Sequence, residues 1–109
     1  MDMTNTPDAI RAFVQATNAA DSDAFVAAFA PEATLDDWGR MFTGHDGIRD
    51  WNRTDNIGVQ AHFDLLALEP GEQRDTYIAT IRVSGNGYNG TGPMVFTVRD
   101  GLIASLRIG

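Results

Sequence analysis

Apolar residues recur at helical spacing in the first third of the chain, in two stripes. The first stripe consists of Ile10, Phe13, Val14 and Thr17, and the second of Phe25, Ala28 and Phe29. Thr6 followed by Pro and Asp predicts a helix start with Thr6 as the N-cap, and Asp21 or Ser22 can cap the second helix. Pro31 should end it. We therefore expect two short helices, preceded by a polar lead-in over residues 1–5.

The hydrophobic period changes to two residues from Val59 onward, which is typical of strands. Four strands are predicted, over residues 59–68, 76–84, 92–99 and 102–108. The last two are joined by Asp100-Gly101, a strong hairpin signal. Helices followed by antiparallel strands predict an α+β fold rather than a parallel sheet.

The middle of the chain predicts a short strand pair and a third helix. Residues 33–38 are strand-like, and a turn at Gly39-Arg40 leads into residues 41–43. Asp46 can then cap the third helix. Ile48 and Trp51 should face inward on it, because they are three residues apart.

Length and composition narrow the class of protein. A chain of 109 residues fits a single domain, residues 1–109. No apolar run long enough to span a membrane and no basic leader is present, so we expect no membrane partner and a cytoplasmic location. The net charge is −7 and the eight basic residues are scattered, which argues against a nucleic-acid partner. The complete absence of Lys in favour of Arg hints at a bacterial source.

Absent residue types exclude several chemistries. Without Cys, the chain has no thiol nucleophile, disulfide or Cys-based zinc site. Without Lys, it can form no Schiff base. His45 and His62 lie 17 residues apart with no fixed carboxylate spacing, which is a poor metal signal. We therefore expect no metal and no cofactor.

Asp37 is the best candidate for a functional side chain. Leu35 and Asp37 share one face of the predicted strand, while Asp36 lies on the other. If the Leu35 face lines the core, Asp37 points inward, and neighbouring aromatic rings would disfavour its charged form and favour a general base. The alternative is a partly exposed Asp at a strand end, bonded to turn amides.

Several local motifs, spread over nearly the whole chain, carry a resemblance to a known family. They are the segments at residues 18–21 (Asn-Ala-Ala-Asp), 29–37 (Phe-Ala-Pro-Glu-Ala-Thr-Leu-Asp-Asp), 42–48 (Phe-Thr-Gly-His-Asp-Gly-Ile) and 99–103 (Arg-Asp-Gly-Leu-Ile). The chain resembles the SnoaL-like and ketosteroid isomerase-like branch of the nuclear transport factor 2-like superfamily. The resemblance implies a cone: a curved, mainly antiparallel sheet with three N-terminal helices enclosing a pocket. Homodimers through the sheet are usual in that superfamily.

The resemblance also implies site residues. Asp37 matches the general-base aspartate of the ketosteroid isomerase-like enzymes. Their oxyanion hole uses a tyrosine and a protonated acid, but these positions fall on Phe13 and near Met94, neither of which can donate a hydrogen bond. SnoaL-type cyclases place an acid and a histidine on later strands. His62 and Asp64 share a strand face and could form that pair, or His62 could be structural or exposed.

Aromatic and polar residues complete the predicted ligand-binding set, which is Phe13, Phe29, Trp38, Trp51, His62 and Tyr88. Asn52 and Asp55 could add polar contacts at the rim. Two functions stay open. One is a cofactor-independent enzyme of the isomerase, cyclase or dehydratase type that uses Asp37 as a general acid/base on a small apolar substrate. The other is a noncatalytic module that binds an apolar ligand or forms dimers.

Overall fold

The computed structural model describes residues 6–109, and the predicted polar lead-in at residues 1–5 lies outside them. Within the described residues the helices are α1 (Asp8–Asn18), α2 (Ser22–Ala27) and α3 (Gly44–Asp55), and a short 3₁₀ turn spans Ile57–Val59. The strands are β1 (Phe29–Asp37), β2 (Arg40–Thr43), β3 (His62–Pro70), β4 (Thr76–Ser84), β5 (Gly90–Arg99) and β6 (Leu102–Ile108). None of the helices in this part of the chain is long and apolar enough to cross a membrane.

The helix caps follow the sequence prediction only at α2. The carboxylate of Asp21 accepts a hydrogen bond from the backbone N–H of Ala24 at 3.0 Å, as predicted. At α1 the N-cap position belongs to Pro7, and the hydroxyl of the buried Thr6 accepts no hydrogen bond from the first turn, so that prediction was wrong. At α3 the helix begins at Gly44, which places Asp46 in the first turn rather than at the cap.

The six strands form one sheet in the order β2-β1-β6-β5-β4-β3. All neighbours pair antiparallel except β1 and β6, which confirms a mainly antiparallel sheet. The bounds of β4 and β6 are those predicted. Strand β1 begins earlier than predicted, at Phe29, and therefore contains Pro31. Pro31 lies at a register irregularity, where a missing backbone N–H is tolerated.

The core lies between the inner face of this sheet and the helices. Phe13 of α1 occupies its centre: it is fully buried, with its ring centroid 5.1–6.1 Å from those of four other phenylalanines, Phe25, Phe29, Phe63 and Phe96. From α3, Ile48 and Trp51 face inward, as predicted. The helices thus fill one end of the inner face, and a second region beside α3 is left for the cavity described below.

Candidate ligand-binding site

A cavity of about 580 Å³ lies between the inner face of the sheet and α3. This volume is in the range of small-molecule sites. Its walls are mostly apolar and come from the 3₁₀ turn and from four strands, β3, β4, β5 and β6, through Val59, Phe63, Ile81, Val83, Met94 and Ile108. Its polar side is formed by the β1–β2 turn and the last turn of α3, through Asp37, Arg40, Thr54, Asp55 and Asn56.

Strand register places Asp37 on the cavity side. Leu35 pairs with Leu106 and Asp37 with Ile108, and the buried Leu35 and Leu106 define the inner face. Asp36 lies on the opposite face and accepts a hydrogen bond from the Gly39 N–H at 2.7 Å. The alternative role predicted for Asp37, a hydrogen bond to a backbone amide of the turn, therefore belongs to Asp36.

The Asp37 carboxylate is held through one of its two oxygens. Its Oδ2 accepts a hydrogen bond from Trp51 Nε1 at 3.0 Å and from Arg40 Nη2 at 2.5 Å. The side chain is 14% exposed. Among residues 6–109, no donor is directed at Oδ1. One carboxylate oxygen is thus anchored, and the other accepts no hydrogen bond from the described residues.

Arg40 reaches Asp37 because a two-residue turn brings them face to face. The turn residues Trp38 and Gly39 have φ of +52° and +89°, as in the type I′ turn of tight hairpins. Asp37 and Arg40 are therefore cross-strand partners. Sequence reasoning treated Arg40 only as a turn residue. The sequence signal for this contact is an acid and an arginine three positions apart around a glycine. The contact also requires a left-handed backbone at Trp38, which is uncommon for a tryptophan.

Asp55 completes an acidic–basic–acidic arrangement. Arg40 Nη2 lies 2.9 Å from Asp55 Oδ1, and Thr54 Oγ1 donates to Asp55 Oδ2 at 2.6 Å. Burial by itself raises the pKa of Asp55, but the hydrogen bonds from Arg40 and Thr54 outweigh it, so the pKa lies below its usual 3.8. The hydrogen bonds from Arg40 to Asp55 and to Asp37 raise the pKa of the Arg40 guanidinium. Two carboxylates and one guanidinium leave this side of the cavity with a formal charge of −1.

Of the predicted ligand-binding aromatics, Trp38, Trp51 and Tyr88 line the cavity together with Asp37. Trp51 is 4% exposed and forms part of the floor. Trp38 and Tyr88 are 77% and 64% exposed, so both rings are accessible to solvent as well as lining the cavity. Of the predicted rim residues, Asp55 lines the cavity, whereas Asn52 is buried and bonds to Asn56 and Ser22.

Phe13, Phe29 and His62 lie outside the cavity. Phe13 and Phe29 are core residues that pack against other aromatic rings. The prediction failed for them because an inward-facing residue of a helix or strand can face either the core or a cavity. His62 and Asp64 do form a pair, at 3.3 Å, but on the exposed outer face with Arg82. The structure therefore separates these three residues from Asp37.

The other histidine has a structural contact. His45 Nε2 lies 2.8 Å from the backbone carbonyl of Phe29, so this nitrogen donates. Over the described range, residues 6–109, no cluster of three or more His, Asp or Glu side chains is placed to hold a metal ion.

The family model of the SnoaL-like domain matches residues 10–106. The chain therefore belongs to the SnoaL-like family, which confirms the resemblance predicted from its motifs. No curated protein matches it.

Solved structures confirm the nuclear transport factor 2-like cone. A protein of Sinorhizobium meliloti described as a candidate polyketide cyclase is 27% identical, with a TM-score of 0.89 over 100% of both chains. A Mycobacterium tuberculosis protein solved with estradiol-17β-hemisuccinate is 15% identical, with a TM-score of 0.79 over 92% of this chain and 88% of its own. The Δ5-3-ketosteroid isomerase of a Mycobacterium species is 16% identical, with a TM-score of 0.76 over 92% and 88%. The fold thus relates the chain to polyketide cyclases and ketosteroid isomerases.

Proposed function

We propose that this protein binds a small, largely apolar molecule in the inner cavity and that Asp37 acts on it as a general acid/base, in a cofactor-independent reaction of the isomerase, cyclase or dehydratase type. The observation that carries the proposal is one inward carboxylate with an unbonded oxygen, Oδ1, in a mostly apolar cavity of about 580 Å³. The steroid named for the mycobacterial neighbour is consistent with a flat apolar ligand.

The apolar walls would supply most of the binding free energy, since each Å² of apolar surface removed from water contributes about 25 cal/mol. The polar side would fix the orientation of the ligand. Its formal charge of −1 should favour neutral ligands over carboxylates, because two acids face the cavity against the single guanidinium of Arg40.

The anchoring of Asp37 suits a base. Trp51 and Arg40 hold Oδ2 in place, so Oδ1 is presented in a fixed position and reorganises little when a proton is transferred. A general base of this kind contributes roughly 10²–10⁴ to a rate.

A noncatalytic ligand-binding module is the second candidate, and one observation favours it. At the acidic side of the cavity, the donors Trp51 Nε1, Arg40 Nη2 and Thr54 Oγ1 are all bonded to carboxylates. They are therefore not available to stabilise an oxyanion that develops beside Asp37.

Estrone is a suitable probe because it is flat, neutral and carries a ketone with exchangeable α-hydrogens. Binding would be measured by tryptophan fluorescence, and proton abstraction by NMR of hydrogen–deuterium exchange at the ketone α-carbon. We expect wild type to bind and to catalyse exchange, and Asp37→Asn to bind but lose at least about 100-fold in exchange rate. Asp36→Asn, on the opposite face, is the matched control and should behave as wild type.

The outcomes separate the two candidates. Binding with no exchange above the uncatalysed rate would refute the catalytic role and leave the binding module. Equal exchange by wild type and Asp37→Asn would also refute it. If wild type binds neither estrone nor any other neutral polycyclic ketone in a panel, the proposed ligand class is wrong.

We also propose that two copies pair through the outer face of the sheet. That face carries a strip of uncharged side chains on adjacent strands, Thr34, Ile78, Val95, Thr97 and Ser105. Met41, at 59% exposed, lies beside it. Light scattering at micromolar concentration should give twice the chain mass, and a monomer would refute the pairing.

A further inference from the structure

The glycine-rich loop that joins β4 to β5, residues 85–89, is anchored rather than a loose tip. The Asn86 N–H donates to the backbone carbonyl of Val59 at 2.9 Å, which ties the loop to the 3₁₀ turn. Asn89 closes the loop on itself, because its side-chain amide donates to the carbonyls of Gly85 and Gly87 at 2.9 and 3.1 Å. Tyr88 is thus carried by a framework with a fixed backbone.

The loop places the hydroxyl end of Tyr88 at the cavity wall. A Cβ on Gly90 would lie 2.3 Å from the Tyr88 hydroxyl oxygen and 2.7 Å from Cζ, so the absence of a side chain at Gly90 provides the space for this ring. Gly90 and Tyr88 both line the cavity. Within the described part of the chain, the Tyr88 hydroxyl makes no intramolecular hydrogen bond.

Two side-chain donors that line the cavity have no hydrogen-bond partner among residues 6–109, the Tyr88 hydroxyl and Trp38 Nε1. Trp38 lies on the β1–β2 turn, which belongs to the acidic side, whereas Tyr88 lies on the loop between β4 and β5, which does not. Thr54, Arg40 and Trp51 donate to carboxylates, as described above. The side-chain amide of Asn56 donates to Thr17 and Asn52. Thr91 pairs with Arg82 across the sheet, and the alternation of β5 turns its side chain to the outer face, opposite to that of the buried Met94.

We infer that Tyr88 is the specificity-determining residue of this cavity, and that its hydroxyl donates a hydrogen bond to an acceptor oxygen on the ligand. The ligand would then be an apolar molecule that carries a ketone, lactone or ether oxygen opposite the acidic side. This inference rests on the proposed binding of an apolar ligand, but not on catalysis by Asp37.

The test compares estrone with the same steroid lacking its ketone oxygen, both titrated against wild type and Tyr88→Phe. The variant keeps the ring and removes only the hydroxyl. We expect Tyr88→Phe to bind estrone about three- to tenfold more weakly than wild type, as for the loss of one neutral hydrogen bond. The steroid without the ketone oxygen should bind wild type and Tyr88→Phe with the same affinity.

Two glycine variants on the same strand provide a second test in which the hydroxyl is kept but moved. In Gly90→Ala the new methyl group would displace the Tyr88 ring, whereas in Gly92→Ala, which also lines the cavity, it meets no protein atom within 4 Å. Gly92→Ala therefore controls for lost cavity volume: it should change the affinity for both steroids by the same factor, whereas Gly90→Ala should weaken estrone binding more than binding of the steroid without the ketone oxygen. Circular dichroism would verify that both variants fold.

The inference is overturned if Tyr88→Phe changes the affinity for the two steroids by the same factor, or for neither. If wild type binds the steroids in that case, the proposed function is not contradicted. Failure of wild type to bind either steroid or any other ketone of the panel would instead contradict the proposed function and, with it, the role of Tyr88.

Discussion

Replacing Trp51 with Phe tests the anchor that holds Asp37. The change removes the indole N–H, which lies 3.0 Å from Asp37 Oδ2, while it keeps an aromatic ring in a position that is 4% exposed. A hydrogen bond to a charged group contributes about 1.5–3 kcal/mol to stability. The smaller ring loses about 1 kcal/mol more in packing. We therefore expect a total loss of about 2.5–4 kcal/mol in the free energy of unfolding.

The assay is urea unfolding followed by circular dichroism. Trp38→Phe is the matched control, because Trp38 is the only other tryptophan and is 77% exposed. It should change the free energy of unfolding by no more than about 0.5 kcal/mol. A double-mutant cycle of Trp51→Phe with Asp37→Asn isolates the pair, and we expect a coupling energy of about 1–2 kcal/mol.

The reasoning is refuted if Trp51→Phe costs no more than Trp38→Phe. A loss of the expected size with no coupling to Asp37→Asn would show that Trp51 acts through packing alone. In that case Arg40 alone would anchor Asp37, and the part assigned to Trp51 in holding Oδ2 would be wrong.

Three further predictions concern the core, the acidic side and the link between α1 and β3. Phe13→Tyr should lose about 1–3 kcal/mol on urea unfolding, because the new hydroxyl would be buried among phenylalanine rings without a partner; an unchanged midpoint would place Phe13 at the cavity after all. Because the pKa of Asp55 is lowered in the folded chain, its stabilisation is present above pH 3.8 and is lost as the pH falls through the folded value. Arg40→Gln should therefore lose less stability than wild type on acidification below about pH 4, and parallel pH profiles would contradict this. Asn18→Ala should cost about 1–3 kcal/mol in thermal or urea unfolding, because the Asn18 amide bonds both the backbone N–H and carbonyl of Phe63, at 2.8 and 2.9 Å; a change below about 0.5 kcal/mol would be the opposite result.

Much of the fold is encoded in local signals. The change of period near residue 59 predicts the long strands, and the bounds of β4 and β6 match the prediction. Asp100 and Gly101 have φ of +54° and +80°, the backbone that an Asp-Gly hairpin requires. The start of β1 was missed because Pro31 is a helix terminator in most contexts, whereas here a register irregularity accommodates it.

The site was less predictable, for physical reasons. Strand alternation placed Asp37 inward, but periodicity cannot tell a core-facing ring such as Phe13 from a cavity-facing one such as Trp51. That difference depends on how far the helices cover the sheet. Arg40 was missed because its contact depends on a left-handed turn at Trp38, which sequence statistics disfavour.

The most direct test of the account is an NMR titration of the Trp51 indole N–H with estrone. The chain has two tryptophans, so the spectrum holds two indole signals, which Trp38→Phe and Trp51→Phe assign. Binding in the cavity next to the anchored Asp37 predicts a saturable shift of the Trp51 signal that is altered in Asp37→Asn and unchanged in Asp36→Asn. Saturable binding that leaves the Trp51 signal in place and moves only residues of the outer sheet face would contradict the central claim.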